Sequence, residues 1–359
     1  MTRSAQHAPA SQIPLFALYP ELEPVLARVP LCQLPTPVER AEKMEQEAGT
    51  GPLYIKRDDC SAPEYGGNKP RKLEWLLGRA QERGASRVMT FGGLATNHGF
   101  ATTLYATRLG LDCELILVDQ PASAAVRRRL RLHQAAGARL FYGRNVAGTA
   151  FVALTRLVRH PRTFIIPVGG TSPRAMLGLV NAGLELGQQI EAGALPEPAR
   201  VYLACGSGGT AAGLALGLAL AGLHTRVVAV LITDILAPSQ SSLQRMARRT
   251  LKLLRRSAGA VATPALEDRI ELETGFIGPG YGHATREAEA AQHTLERLED
   301  LILDGTYTGK AFAALLARER GRNEPILFWH SYSAHEPELA LPDWRRLPRS
   351  FHRFFPRPE

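Results

Sequence analysis

The stretch Glu64-Tyr65-Gly66-Gly67-Asn68-Lys69-Pro70-Arg71-Lys72-Leu73-Glu74 sets a lysine behind two glycines and just ahead of a helical pattern. Lysine is scarce here: only Lys43, Lys56, Lys69, Lys72, Lys252 and Lys310 occur among 43 Lys and Arg residues. A lysine kept after a glycine turn therefore asks for a chemical reason. An amine can lose its proton and form a Schiff base, which a guanidinium cannot do. The plain alternative is a solvated lysine at a helix start. A second stretch, Gly206-Ser207-Gly208-Gly209-Thr210, follows a strand pattern and opens a helix. Glycines there let backbone N–H groups and a helix N-terminus close on an anion such as a phosphate. It lacks the sixth-position glycine of a dinucleotide fingerprint, having Ala211 instead, and the Lys-Ser/Thr of a nucleotide-triphosphate loop. A tight turn built from small residues is its bland reading.

Two further places carry polar groups. Thr96-Asn97-His98 starts a helix after Gly92-Gly93 and could hold a carboxylate or ring hydroxyl, or simply cap the helix. Tyr281 and Tyr307 sit in Gly280-Tyr281-Gly282 and Thr306-Tyr307-Thr308-Gly309, where a phenol could act as a general acid or only anchor its loop.

The elements that must position these groups alternate strand and helix. Expected strands are Leu53–Asp59 (ending in a polar loop), Arg87–Phe91, Glu114–Val118, Arg139–Tyr142, Thr163–Pro167, Arg200–Ala204, Arg226–Leu231 and Pro325–His330. Helices fall between them, among them Arg71–Arg83, where Leu73, Leu76, Leu77 and Ala80 share one face. Such alternation means parallel sheets covered on both faces, with ligands at the carboxyl ends of the strands. The Gly-rich turns follow strands at those ends. Leu34–Glu39 reads as a turn and Glu273–Tyr281 as a loop. Residues 1–30 read as an extended arm. The tail 344–359, rich in arginine, aromatics and proline, is expected on the surface or partly disordered.

Bulk properties exclude other classes. The chain has 359 residues, 45% hydrophobic and 21% charged, enough for one large or two ordinary domains. The net charge of +9 comes from scattered arginines, and no zinc-finger or RNP-type motif accompanies it, so no nucleic-acid partner is expected. Four distant cysteines give neither a metal site nor a disulfide framework and suit a cytoplasmic protein. No apolar run is long enough to span a bilayer, and residues 1–7 lack a signal-peptide core.

A lysine, a phosphate cradle and polar Gly-rich loops on an α/β scaffold suit pyridoxal phosphate. The chain resembles the D-cysteine desulfhydrase and 1-aminocyclopropane-1-carboxylate (ACC) deaminase family of fold type II pyridoxal-phosphate enzymes. The resemblance rests on Leu34-Pro35-Thr36-Pro37, Lys56-Arg57-Asp58-Asp59, Gly66 to Glu74, Thr96-Asn97-His98, Pro167 to Pro173, Gly206 to Thr210, Gly280-Tyr281-Gly282 and Tyr307 to Ala311, in the family's order over roughly residues 32–332. It implies two open parallel-sheet α/β domains with the cofactor in the cleft between them, usually in a homodimer acting on a small amino acid. The large domain would be 1–75 with 180–359, and the small domain 76–179.

The resemblance also implies residue roles. Lys69 would hold the cofactor as a Schiff base. Asn68, Asn97, Gly206, Ser207, Gly208, Gly209, Thr210, Thr308 and Ser331 would bind it. Asn97 matches the partner of the ring hydroxyl, and Thr308 stands where ACC deaminases have a glutamate near the ring nitrogen. Lys69, Thr96, Tyr281 and Tyr307 would be catalytic. Thr96, Asn97, His98, Gly170, Tyr281 and Tyr332 would face the substrate. Two departures bear on substrate choice. Ala95-Thr96-Asn97 replaces the usual Gln-Ser-Asn, and His330-Ser331-Tyr332-Ser333 replaces His-Thr-Gly-Gly. The expected function is D-cysteine desulfhydrase-like α,β-elimination giving a keto acid and ammonia. Alternatives are ACC deamination, β-replacement or γ-chemistry in secondary metabolism, and a non-catalytic binding protein on the same scaffold.

Overall fold

The computed structural model describes residues 13–234 and 237–356. By Cα packing the chain forms two units. One holds the residues up to Trp75 together with Thr171–Glu336, and the other holds Leu76–Gly170 with the segment from Pro337 on. The expected boundary at 179/180 falls inside a helix that belongs wholly to the first unit, and the tail groups with the second unit rather than the first.

The first unit is built on a six-stranded sheet. Its strands are β1 (Val38–Arg40), β2 (Leu53–Lys56), β7 (Arg200–Cys205), β8 (Arg226–Leu231), β9 (Ile270–Glu273) and β10 (Ile326–Trp329), in the order β1-β2-β10-β7-β8-β9. All neighbours are parallel except β1, which runs antiparallel to β2 with Val38 opposite Lys56. Strands β1 and β9 were not expected. Both are short edge strands of mixed polarity, so alternation gives little signal there.

The order has a consequence for chemistry. The loops after β2, β10, β7 and β8 leave the same edge of the sheet, side by side. They carry Gly66–Lys69, Ser331–Ser333, Gly206–Gly208 and Asp234 respectively.

Helices α7 (Pro173–Glu191) and α8 (Gly209–Leu220) pack closely in this unit. Their backbones approach because glycines face each other. A Cβ on Gly183 would lie 2.6 Å from the Leu218 nitrogen, and one on Gly217 would overlap the Val180 carbonyl. The phosphate-type loop therefore starts a helix that is clamped in place. Residues 13–29 were expected to be extended. They form α1 (Pro14–Leu18) and a 3-10 turn at Pro20–Leu22, with Leu15, Phe16, Leu22 and Leu26 buried beside Trp75, Met176 and Leu216. The rest of the expected arm, 1–12, lies outside the described residues.

The second unit has a four-stranded parallel sheet: β3 (Arg87–Gly93), β4 (Asp112–Val118), β5 (Ala138–Arg144) and β6 (Thr163–Ile165), in the order β5-β4-β3-β6. Helices α4 (Asn97–Arg108), α5 (Ala124–Ala135) and α6 (Val146–Arg159) connect them. β3 and β6 are neighbours, so the loops after them, 94–96 and 166–170, emerge together. As far as the described residues reach, to 356, the tail has 3-10 turns at Trp344–Arg346 and Arg349–Phe354 and a buried Phe351.

Candidate functional site

Helix α3 (Asn68–Glu82) begins three residues earlier than the sequence suggested. Pro70 falls in its first turn, where a missing N–H costs nothing. Gly67 turns the chain at φ +82°, and a Cβ there would meet the Ser331 carbonyl at 2.5 Å. The entry is pinned on three sides. Gly67 N donates to Asp58 O at 2.7 Å, Asn68 N donates to Ser331 O at 3.3 Å, and Gly66 N donates to Ser333 Oγ at 2.7 Å.

A chain of hydrogen bonds joins the lysine to the glycine loop. Lys69 Nζ donates to Asn68 Oδ1 at 2.8 Å, and Asn68 Nδ2 donates to Thr210 Oγ1 at 2.9 Å. Thr210 is in the first turn of α8. The loop before it needs its glycines. Gly208 sits at φ +84° against Leu243, and a Cβ on Gly209 would lie 2.8 Å from Thr171 Oγ1. The hydroxyls of Thr171 and Ser207 share a 2.6 Å hydrogen bond. Burial lowers the Lys69 amine to about 8, although the Asp304 carboxylate pulls the other way. One turn on, buried Lys72 is lowered to about 7, by burial first and then by the Lys69 charge. Lys72 also feels Cys205, at the end of β7. It escaped attention as a site residue, though its i,i+3 spacing from Lys69 puts both on one helix face.

The phenols meet. Tyr281 and Tyr307 share a 2.6 Å hydroxyl–hydroxyl hydrogen bond, with the rings edge-on at 83°. Burial raises both, and Tyr307 goes well above its ordinary value. Their loops are held from beneath. Tyr281 N donates to Asp234 Oδ1 at 3.2 Å, and buried Lys310 Nζ donates to the carbonyls of Ile277 (2.6 Å) and Gly280 (3.3 Å). Asp304 caps α11 (Thr308–Glu319) by accepting from the N–H groups of Thr306, Tyr307 and Thr308. The Thr308 hydroxyl donates to Asp304 Oδ1 at 2.7 Å and accepts from Asp304 N at 2.8 Å. An aspartate shortly before a helix is a capping signal, and it could have marked Asp304 in advance. A Cβ on Gly206 would lie 3.8 Å from the Tyr307 ring, so the phenols and the loop are neighbours. Tyr332 follows Ser331 and is partly buried.

The second unit gathers its own group. Thr96 Oγ1 accepts from Gly99 N at 3.1 Å and so caps α4, with Asn97 as the first helical residue. Buried His98 shares a 3.1 Å hydrogen bond between Nε2 and Thr90 Oγ1. A Cβ on Gly170 would lie 3.1 Å from the His98 ring, so these two predicted residues adjoin. The loop between β3 and α4 is braced by Ala95 N donating to Gln120 Oε1 (3.1 Å) and by a His133 Nε2 hydrogen bond to Leu94 O (3.2 Å). Burial lowers His133 to about 3, so the ring is neutral and Nε2 is the donor.

Parallel sheets with loops of this kind, an amine of lowered basicity and an anion cradle in one hydrogen-bonded chain define a cofactor-dependent α/β enzyme. The profile of the family described as "Pyridoxal-phosphate dependent enzyme" matches residues 29–331, and the chain belongs to that family. It is 36% identical over 319 residues to nocardicin C-9' epimerase of Nocardia uniformis subsp. tsuyamanensis, covering 87% of this chain and 94% of that one. It is 33% identical over 323 residues to D-cysteine desulfhydrase of Klebsiella pneumoniae (strain 342), covering 86% and 94%. Among solved structures, an ACC deaminase homologue aligns with a TM-score of 0.75 at 30% identity, over 89% of this chain and 94% of that chain. The T.th. threonine deaminase aligns with a TM-score of 0.61 at 18% identity, over 90% and 98%, a likeness of fold alone. Pyridoxal phosphate fits the first unit. The cofactor needs an amine and a phosphate cradle, and here Lys69 and the glycine loop that opens α8 are joined through Asn68 and Thr210.

Proposed function

We propose that the chain removes the α-proton of a small amino acid and, where a β-leaving group is present as in D-cysteine, eliminates it to give a keto acid and ammonia. Bound pyridoxal phosphate supplies the electron sink that makes the α-C–H acidic. Lys69 is the residue we assign to hold the cofactor. Backbone N–H groups of Gly206–Thr210 and the N-terminus of α8 would face its phosphate. The observation that carries the reading is the hydrogen-bonded run from Lys69 Nζ through Asn68 to Thr210.

At neutral pH the lowered Lys69 amine gives up its charge more readily than a free lysine, so Nζ can accept the α-proton. The phenols stay protonated, because burial raises both. One hydroxyl donates to the other, which leaves one O–H to donate to a substrate atom. Asn97 and Thr96 are assigned to the cofactor's ring hydroxyl and the substrate carboxylate. Ring opening of ACC ranks lower. The residue at 308 is a threonine whose hydroxyl already bonds Asp304, so no carboxylate is offered there.

A second reading, α-carbon epimerisation, is favoured by the 36% identity to the nocardicin epimerase. It uses the same first step, with the proton returned instead of a group expelled.

The test separates these fates. Purified protein is incubated with D-cysteine, with ACC, and with amino acids lacking a β-leaving group in D2O. Sulfide and pyruvate from D-cysteine, faster than ammonia from ACC, is the expected result. Faster ammonia from ACC would reject the ranking. Deuterium entering the α-position with loss of optical rotation and no elimination would establish the epimerase reading instead.

A further inference from the structure

Among the buried lysines, Lys56 pairs with Glu185 and Lys72 lies one turn past Lys69, but Lys310 bonds no carboxylate among the described residues. Its side chain is fully covered, and its amine goes to main-chain carbonyls, Ile277 O at 2.6 Å and Gly280 O at 3.3 Å. A buried amine ordinarily takes a charged partner. The chain otherwise prefers arginine, whose planar fork spreads its donors. An ammonium is a compact point whose N–H groups can reach two acceptors of one loop, so this place calls for lysine.

Both carbonyls belong to the segment 274–285, which joins β9 to α10 (Arg286–Glu299) with no helix or strand of its own. It turns at Gly280 with φ +130°, and no ladder fixes its shape. From Phe276 to Tyr281 its backbone is held, among the described residues, by two side chains. One is Lys310, and the other is Asp234, which accepts from Tyr281 N. Lys310 stands three residues past Tyr307, in the first turn of α11. One helix start therefore carries a phenol and the amine that ties down the loop of the other phenol. The contacts close a circuit: α11 to Lys310, Lys310 to Gly280, Gly280 to Tyr281, and the Tyr281 hydroxyl back to Tyr307. Without the amine, the Ile277 and Gly280 carbonyls lose their partner beneath the loop, which favours a loop lifted toward water.

We infer that Lys310 is a positioning residue, whose amine holds the Tyr281 hydroxyl against that of Tyr307. Its effect on rate rests on the part proposed above for the phenols, whereas its hold on the loop is read without substrate.

The phenol itself gives that first readout. Burial is the largest cause of the raised Tyr281 phenol, and the Tyr307 hydroxyl acts against it. In cofactor-loaded Lys310→Met, Tyr281 should reach water, and ultraviolet absorbance should show one more phenol titrating at ~10 than in wild type. Losing the charge of the amine alone would move a phenol the other way, so the sign identifies release. The extra phenol should vanish when Tyr281→Phe is added. The second readout is α-proton exchange in D2O, the step common to elimination and epimerisation. Lys310→Met should slow it about tenfold or more, and less than about twofold in the Tyr281→Phe background. If melting curves show Lys310→Met to be poorly folded, Lys310→Gln, which keeps an N–H2 group on a shorter stem, should give the same pattern with smaller losses. The absence of an extra phenol, or equal slowing in both backgrounds, would overturn the inference. An extra phenol together with a Tyr281→Phe protein of wild-type rate would keep Lys310 as the anchor and reject the phenols' part in the proposed reaction.

Discussion

At the scale of single residues, the amine of Lys69 carries the most consequence. Addition to an aldehyde needs the neutral amine, and a free lysine is half neutral only near ~10.4. Burial brings that midpoint to about 8 here. Loading of cofactor-free protein, followed by visible absorbance against pH, should therefore rise through a midpoint near 8. Lys69→Ala should stay colourless under every condition. A loading midpoint above 10, or a yellow Lys69→Ala protein, would be incompatible with this assignment. The reactive lysine stood out in the sequence because lysine is rare and the turn before it is glycine-rich. Its helpers did not. Asp304 acts through backbone N–H groups, Thr171 through a hydroxyl shared with Ser207 and Lys72 through charge, and only Asp304, ahead of a helix, and Lys72, three residues past Lys69, leave a local mark. Thr308 was placed by resemblance, and only the structure shows its hydroxyl engaged with Asp304.

At the scale of elements, α3 is held by a buried ionic network that sequence patterns gave no means to assemble. Arg71 forks to Asp58 at 2.7 Å and to Glu185 of α7 at 2.9 Å, and Lys56 Nζ reaches Glu185 at 2.6 Å and Gln189 at 2.6 Å. Trp329 of β10 donates to Asp58 at 2.8 Å. The network ties β2, β10, α3 and α7 together beneath Lys69. Burial alone would raise the Glu185 carboxyl, but Arg71 and Lys56 outweigh it and hold it at about 2. A carboxylate lowered on folding stabilises fully above its unfolded pKa of ~4.3 and loses that contribution as pH falls through 2. Glu185→Gln takes the paired carboxylate from buried Lys56 and one of two from Arg71, which keeps Asp58, and should cost about 3–5 kcal/mol at pH 7. Denaturant melts should show the gap from wild type narrowing between pH 4 and pH 2, and a gap constant with pH would refute the assignment. The strand–helix alternation itself was legible, because each main strand is an apolar run bounded by polar turns. The start of α3 lies three residues before the expected Arg71, and Pro70 fits there because a first helical turn accepts proline.

At the scale of the whole molecule, composition left the state of the tail open. Arginine, proline and aromatics suggested a surface or partly disordered segment; it lies largely at the surface, and nearly every aromatic there has a partner in the second unit or in the tail itself. Phe351 packs edge-on against Tyr142 of β5 at 5.7 Å, Arg353 lies 4.5 Å over the same ring, and Trp344 stacks on Phe355 at 5.2 Å. Arg131 of α5 donates to the carbonyls of Leu341 and Pro342, and Gln134 donates to Arg346 O. The tail thus packs against Tyr142 of β5, the outer strand of the four-stranded sheet, and against α5. Buried Leu347 and Phe351 each contribute ~1.5–3 kcal/mol, so ending the chain at Glu336 should cost the second unit about 3–6 kcal/mol. Calorimetry of that truncation should show a transition about 10 °C or more below that of the full chain. Lys69 and the glycine loop belong to the other unit, so its cofactor absorbance should persist until that transition begins. An unchanged melting profile would mean that the tail rests on the sheet without supporting it.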